Sequence, residues 1–217
     1  MIEEKSQEII SNELPRHKYK INIILIGPQG VGKSSLIERI IKDSFDLYIL
    51  PTVGCDFKQV NIDLKDHSSI IYKFIDVCGQ ECFFRSWMDY LDIVDIIIFV
   101  NDQKGLEVNT LEIIKERVLL SDKKVICCIN KKDILSDGEI GKTLKNFKEI
   151  NSELKDKPII LVSAKTSDGI KELKNKIREC SLNIIKEKKI AEIQKSKKLN
   201  RINIKLDPER NDKKHCC

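Results

Sequence analysis

Gly27-Pro28-Gln29-Gly30-Val31-Gly32-Lys33-Ser34 is the stretch on which the reading of the whole chain turns. It has the form G-x-x-x-x-G-K-S, glycines followed by one lysine and one hydroxyl residue. Without Cβ atoms, the glycines let successive backbone N–H groups curl around an anion, and a helix starting just beyond adds the positive end of its dipole. The flanks supply that setting. Tyr19 to Ile26 (YKINIILI) is a β-rich apolar run immediately before the loop. Ser34 to Ile41 follows it with Leu36, Ile37, Ile40 and Ile41 at helical spacing. Strand, glycine loop and helix in that order suit a phosphate chain, with Lys33 reaching its β- and γ-phosphates and Ser34 offering a hydroxyl to Mg²⁺.

Working outward, apolar runs and polar helix-forming segments alternate. Phe57 to Leu64 sets Phe57, Val60, Ile62 and Leu64 against polar neighbours, and a second run spans Ile70 to Ile75. The turn-like Lys65-Asp66-His67-Ser68 between them predicts an antiparallel hairpin at a sheet edge. Three continuous apolar strands are expected at Val94–Val100, Val125–Ile129 and Pro158–Val162, separated by helices over Leu106–Leu120 and Glu139–Leu154. A last helix is expected after Ser167-Asp168-Gly169, with Ile170, Leu173, Ile177 and Ile184 on one stripe. The pattern predicts an α/β fold: six strands, mostly parallel with one antiparallel edge strand, and helices on both faces. Its boundaries are an N-terminal extension at 1–18, a globular domain at 19–189 and a flexible tail at 190–217, where periodicity fades into lysines and asparagines.

Composition narrows the class. With 217 residues, 41% of them hydrophobic, the chain has material for one real core. Its longest apolar stretch, Ile93 to Val100, is broken by Asp95 and falls far short of the roughly 20 residues that span a bilayer. Met1 to Leu14 is acidic and polar, unlike a secretory signal, so a cytosolic chain is expected. Of eight cysteines, Cys127 and Cys128 lie inside an apolar run as small hydrophobes, and Cys55, Cys78 and Cys82 lack zinc-site spacing. The net charge of +5 belongs to the tail: from Lys186 onward there are eleven Lys or Arg against five Asp or Glu. That favours an acidic membrane surface over nucleic acid as the partner.

Further motifs follow the first in order. Asp76-Val77-Cys78-Gly79-Gln80 ends the third expected strand, with a carboxylate for the Mg²⁺ shell and a glycine N–H for a γ-phosphate. Here the chain resembles the Ras superfamily, whose second switch carries D-x-x-G-Q. Asn130-Lys131-Lys132-Asp133 is similar to its N-K-x-D motif, and Ser163-Ala164-Lys165 to its S-A-K motif. A carboxylate at Asp133 can accept from both the ring N–H and the exocyclic amine of guanine, a donor pair adenine lacks. The resemblance implies a P-loop NTPase G domain that binds GTP and GDP. It assigns nucleotide contacts to Gly27, Gln29, Gly30, Val31, Gly32, Lys33, Ser34 and Ser35, and Mg²⁺ to Ser34, Thr52 and Asp76. It further assigns Phe45, eleven residues after Ser34, to packing on the base, and Thr52, seven further, to closing on Mg²⁺ and the γ-phosphate. Gly79 would meet the γ-phosphate, Gln80 would orient the attacking water, and Asn130, Lys131, Asp133, Ser163, Ala164 and Lys165 would surround the base.

Two features resemble the Rab branch. Val53-Gly54-Cys55-Asp56-Phe57-Lys58 is similar to I-G-V-D-F-K, and Lys213-Lys214-His215-Cys216-Cys217 looks like a tail geranylgeranylated on both cysteines. Two lipid chains give the stable anchoring that one does not. The resemblance implies a GTP-hydrolysing switch on the cytoplasmic face of an intracellular membrane, cycling with the cytosol. It also implies exchange factors, activating proteins, an escort protein or GDP dissociation inhibitor, and effectors. The chain departs from the pattern after Gln80-Glu81, where Cys82-Phe83-Phe84-Arg85-Ser86-Trp87 replaces the usual run, and at Gln29, a position more often small. Those departures motivate the rival reading of a scaffold that binds GTP with little hydrolysis. A P-loop ATPase or kinase is opposed by the two base motifs.

Overall fold

The computed structural model describes residues 17–64, 66, 68–79, 88–103, 122–150 and 154–206, with backbone alone over 198–206. The chain divides into two units, Met1–Arg178 and Glu179–Cys217.

The first unit is built on β1 (Lys18–Ile26), whose Ile23, Ile24 and Leu25 are wholly buried. A strand covered on both faces is apolar throughout rather than alternating, which is why YKINIILI reads as one run. β1 pairs in parallel with β3 (Ser69–Val77) on one side and β4 (Ile96–Asn101) on the other. β2 (Cys55–Asp63) runs antiparallel to β3 from Cys55 opposite Val77 to Asp63 opposite Ser69. With β5 (Lys124–Ile129) and β6 (Ile159–Leu161) in parallel beyond β4, the order among the described residues is β2-β3-β1-β4-β5-β6. The expected six-stranded sheet with one antiparallel edge strand is what the chain forms. The order reverses at β1, and a crevice opens beyond the carboxyl ends of the strands at such a reversal.

One face of the sheet gathers Ile24, Ile26, Ile75, Val77, Ile97, Phe99, Val125, Cys127 and Ile129. Leu91, Val94, Leu154 and Phe147 of α2 (Asp137–Ile150) close over it. The opposite face carries α1 (Lys33–Lys42), which buries Leu36 and Ile37. Lys58 shows the side α1 takes: it stands opposite Phe74 in register and its ammonium pairs with Glu38 of α1. Phe57 is 44% exposed and meets Tyr90 edge-on at 5.6 Å. The strand alternation foreseen for Phe57 therefore holds only loosely at this edge, because the lysine has the ion pair and the phenylalanine has a thin cover. Cys127 and Cys128 are buried as expected; burial pushes the Cys127 thiol up to about 12 and raises Cys128 as well.

Helix boundaries follow caps rather than apolar spacing. α2 begins at Asp137, before the expected Glu139, where the Glu139 side chain reaches back to cap Ser136, the glutamate half of a capping box. The Glu139 carboxylate accepts from the Ser136 N–H at 2.8 Å and from its hydroxyl at 2.7 Å. α2 is described as far as Ile150, and residues 151–153 of its expected course to Leu154 lie outside the described residues. The last helix, α3 (Ile170–Leu206), buries Ile170, Leu173 and Ile177 within the first unit.

The second unit continues α3 from Glu179 to Leu206. This corrects the expected flexible tail from residue 190: the segment 190–206 is helical. Apolar periodicity does fade there, but lysine, glutamate, glutamine and alanine have high intrinsic helix propensity, and residues 190–197 stay helical although all are exposed. The segment 207–217, with Cys216 and Cys217, lies outside the described residues. So do the extension up to residue 16, the expected helix over Leu106–Leu120, and Gln80 with the divergent stretch after it.

Candidate nucleotide-binding site

The glycine loop leaves the carboxyl end of β1 and turns into α1 at Gly32. Gly32 has φ of 92°, and a Cβ there would stand 2.4 Å from the Asn130 side-chain nitrogen. Only glycine meets both demands. Lys33, 6% exposed, folds back over the loop and donates from Nζ to the carbonyls of Gly27 (2.8 Å) and Pro28 (2.9 Å). Burial lowers its pKa from 10.5 to about 8, against the pull of Asp76 and Cys78.

Beside the lysine lies a cluster of oxygens. The Ser34 and Thr52 hydroxyls are 3.0 Å apart, and Thr52 donates to Asp76 Oδ2 at 3.4 Å. Asp76 is 2% exposed, and its Oδ1 has no hydrogen-bond partner. Burial pushes its carboxyl above the ordinary range, with the Ser34 hydroxyl and Lys33 pulling the other way. An orphaned buried carboxylate oxygen next to two hydroxyls fits a hard divalent cation that takes few protein ligands and completes its shell with water and phosphate oxygens. Among the described residues, no group of three or more His, Cys, Asp or Glu offers another metal site. Gly79 comes close from the far side: a Cβ on it would lie 2.5 Å from the Gln29 nitrogen and 2.6 Å from Lys33 Nζ.

The loops after β5 and β6 build the other end. Asn130, 3% exposed, donates from Nδ2 to the Val31 carbonyl at 2.8 Å and accepts the Ala164 N–H on Oδ1 at 3.1 Å. Ser163 donates its hydroxyl to Asp133 Oδ1 at 2.6 Å and accepts the Thr166 N–H at 3.1 Å. One Asp133 oxygen is thereby aimed, and the carboxylate is otherwise exposed to whatever approaches. Lys131 adopts the left-handed conformation (φ 64°) and pairs with Asp102 at 3.1 Å.

A cavity of about 480 Å³ joins the two ends, within the range of small-molecule sites. The glycine loop and α1 line it with Gln29, Gly30, Gly32, Lys33, Ser34 and Ser35, and Thr52 and Gly79 join them. Phe45, Asn130, Lys131, Asp133, Ala164 and Lys165 also face it. Gly27, Val31, Asp76 and Ser163 stand behind this wall and act on it through the hydrogen bonds just given. Between Phe45 and Thr52, Tyr48 and Leu50 are more than four-fifths exposed. One residue the sequence reading missed is Arg39, whose guanidinium reaches the carbonyls of Ala164 and Lys165 from α1.

A phosphate-cradling loop at the reversal point of a mostly parallel sheet, an oxygen cluster beside it and a cavity walled at its far end by Asn130, Lys131 and Asp133 define a P-loop NTPase G domain. Residues 22–133 match the family model described as "Ras of Complex, Roc, domain of DAPkinase". The chain belongs to the Ras-like small GTPases and is of the Rab type. It is 28% identical to "Ras-related protein RabC" of Dictyostelium discoideum over 90% of this chain and 96% of that one. It is 23% identical to "tRNA modification GTPase MnmE" of Flavobacterium johnsoniae over 74% of this chain, spanning 35% of that protein. The bacterial selenocysteine-specific elongation factor EF-Sec superposes with a TM-score of 0.62 at 23% identity, covering 75% of this chain and 28% of that one, a likeness of fold.

Proposed function

We propose that this GTP-binding protein is a GTP/GDP switch that hydrolyses GTP and regulates vesicle and membrane traffic. The observation that carries the reading is the convergence of the glycine loop, Thr52, Gly79 and both base motifs on one cavity. Ser34, Thr52 and Asp76 would hold Mg²⁺, which neutralises charge on the β- and γ-phosphate oxygens. Backbone N–H groups of the glycine loop cradle the phosphates, and Lys33, freed from the Gly27 and Pro28 carbonyls, turns its ammonium onto the β- and γ-oxygens. Phe45 and Lys131 flank the base, and Asp133 accepts its ring N–H and exocyclic amine.

In the hydrolytic step Gln80 orients a water in line with the γ-phosphorus. The water–phosphorus bond forms as the bond to the β–γ bridging oxygen breaks, and GDP leaves with the negative charge. Arg39 is committed to backbone carbonyls, so it is not the arginine that offsets this charge. An activating protein supplying one would accelerate the step by about 10³–10⁵-fold. Loss of the γ-phosphate releases Thr52 and Gly79, and effectors that read the exposed segment around Tyr48 and Leu50 lose their surface. Geranylgeranyl groups on Cys216 and Cys217 would hold the protein on the cytoplasmic face of a membrane, with exchange factors and an escort protein or dissociation inhibitor governing the cycle. The likeness to RabC supports this placement.

The test is single-turnover hydrolysis of bound GTP by the full chain beside Gln80→Leu. Slow turnover that the variant loses supports the switch. Equal retention of GTP by both proteins leaves a GTP-holding scaffold, the reading that Gln29 in the glycine loop would then favour.

A further inference from the structure

The loop that carries Ser163 is held from behind by a side chain outside the cavity wall. Arg39 commits all three guanidinium nitrogens to backbone oxygens. Nε donates to Ala164 O at 2.8 Å, Nη2 to Lys165 O at 3.1 Å and Nη1 to Asp43 O at 2.6 Å. Its side chain is 12% exposed, and the weak ion pair to Asp43 (3.6 Å) is a minor part of its role beside these three bonds.

These bonds complete a ring. The phosphate loop is tied to Asn130 through the Val31 carbonyl, and Asn130 is tied to the Ala164 N–H. The Ala164 carbonyl is tied to Arg39, which stands on the helix that the phosphate loop itself starts. The peptide planes around Ala164 are thus gripped on one side through an N–H and on the other through two carbonyls. Within that grip sits Ser163, whose hydroxyl aims Asp133. A planar guanidinium fork can span two neighbouring carbonyls, whereas a lysine ammonium presents one compact charge on a flexible stem.

We propose that Arg39 is a positioning residue for guanine recognition. By pinning the Ala164 and Lys165 carbonyls to α1, it keeps the Ser163–Asp133 pair in register with the phosphate loop. It thereby sets both the residence time of bound nucleotide and the preference for guanine. The inference rests on the GTP/GDP reading of the cavity.

The experiment uses the full chain as wild type, Arg39→Ala and Arg39→Lys, and measures release of a fluorescent GDP analogue and the affinity ratio of GDP to inosine diphosphate. Inosine lacks the exocyclic amine, so the ratio reports how well Asp133 is aimed. Arg39→Ala is expected to speed release by about 10- to 100-fold, the effect of losing charge-assisted bonds, and to contract the GDP-over-inosine preference. Arg39→Lys should recover only part of both, and its ratio carries the test should the alanine variant fail to fold. Unchanged release overturns the proposal. So does an equal loss of affinity for both nucleotides, the mark of a merely structural residue. A wild-type protein that binds no guanine nucleotide overturns the GTP/GDP reading itself, and this inference with it; normal wild-type binding with unaltered variants overturns the inference alone.

Discussion

Asn130 Nδ2 donates to the Val31 carbonyl at 2.8 Å, so a side chain at the end of β5 fastens the phosphate loop from across the sheet. Replacing Asn130 with alanine orphans two buried backbone groups, the Val31 carbonyl and the Ala164 N–H. Each orphan costs about 1–3 kcal/mol. Urea unfolding of Asn130→Ala should show a loss of that order, together with weaker GDP binding. A loss within the noise of the measurement would mean the bond holds nothing.

Gly79 tolerates no side chain where it stands. A Cβ would meet the Gln29 nitrogen at 2.5 Å and the Pro28 carbonyl carbon at 2.6 Å, both backbone atoms that cannot swing aside. Gly79→Ala should therefore destabilise the protein by about 1–3 kcal/mol and slow hydrolysis of bound GTP, measured in a single turnover. Wild-type hydrolysis by this variant would show that Gly79 need not approach the phosphate loop.

Asp76 brings the only carboxylate of the oxygen cluster. Asp76→Asn keeps the shape and removes the charge, so chelating Mg²⁺ should accelerate GDP release far less in the variant than in the wild type. The lost interaction is worth about 1.5–3 kcal/mol, as for a hydrogen bond to a charged group. Stopped-flow release with and without chelator reads the difference directly.

Lys33 makes the site sensitive to pH. In the free protein its pKa is lowered to about 8, and phosphate oxygens will raise it again on binding. Nucleotide binding near pH 8 should thus take up a proton, and affinity should fall as pH rises through 8. Calorimetry in buffers of different ionisation enthalpy at pH 7 and 8.5 checks this, with uptake expected mainly at the higher value. The unliganded protein has the opposite trend: the unfolded chain holds the Lys33 proton up to 10.5, so folding stability from this group rises between about pH 8 and 10.5.

The parts of the molecule legible in the sequence were those whose physics is local. The glycine loop, the apolar run of β1 and the position of Asp76 at the end of β3 each follow from neighbours in the chain. The helical course of α3 past Lys189 was not legible from apolar spacing, because over 190–197 the helix persists on residue propensity with every residue exposed. Nor was Arg39. On sequence it is a cation on the polar side of a helix, and its partners are carbonyls more than a hundred residues away that carry no sequence signal. The cover of Lys58 was hidden for the same reason, since it depends on Glu38 of a different element.

The reversal of strand order at β1 places the glycine loop, Gly79, Asn130 and Ala164 at one rim of the sheet. The β2–β3 turn, fastened by the Leu64 N–H on the Ser68 carbonyl, lies at the other rim with the entries into β4 and β6. None of the described residues of that rim lines the nucleotide cavity. The rim is where an epitope, a dye or a surface tether can be grafted while the nucleotide end goes on working.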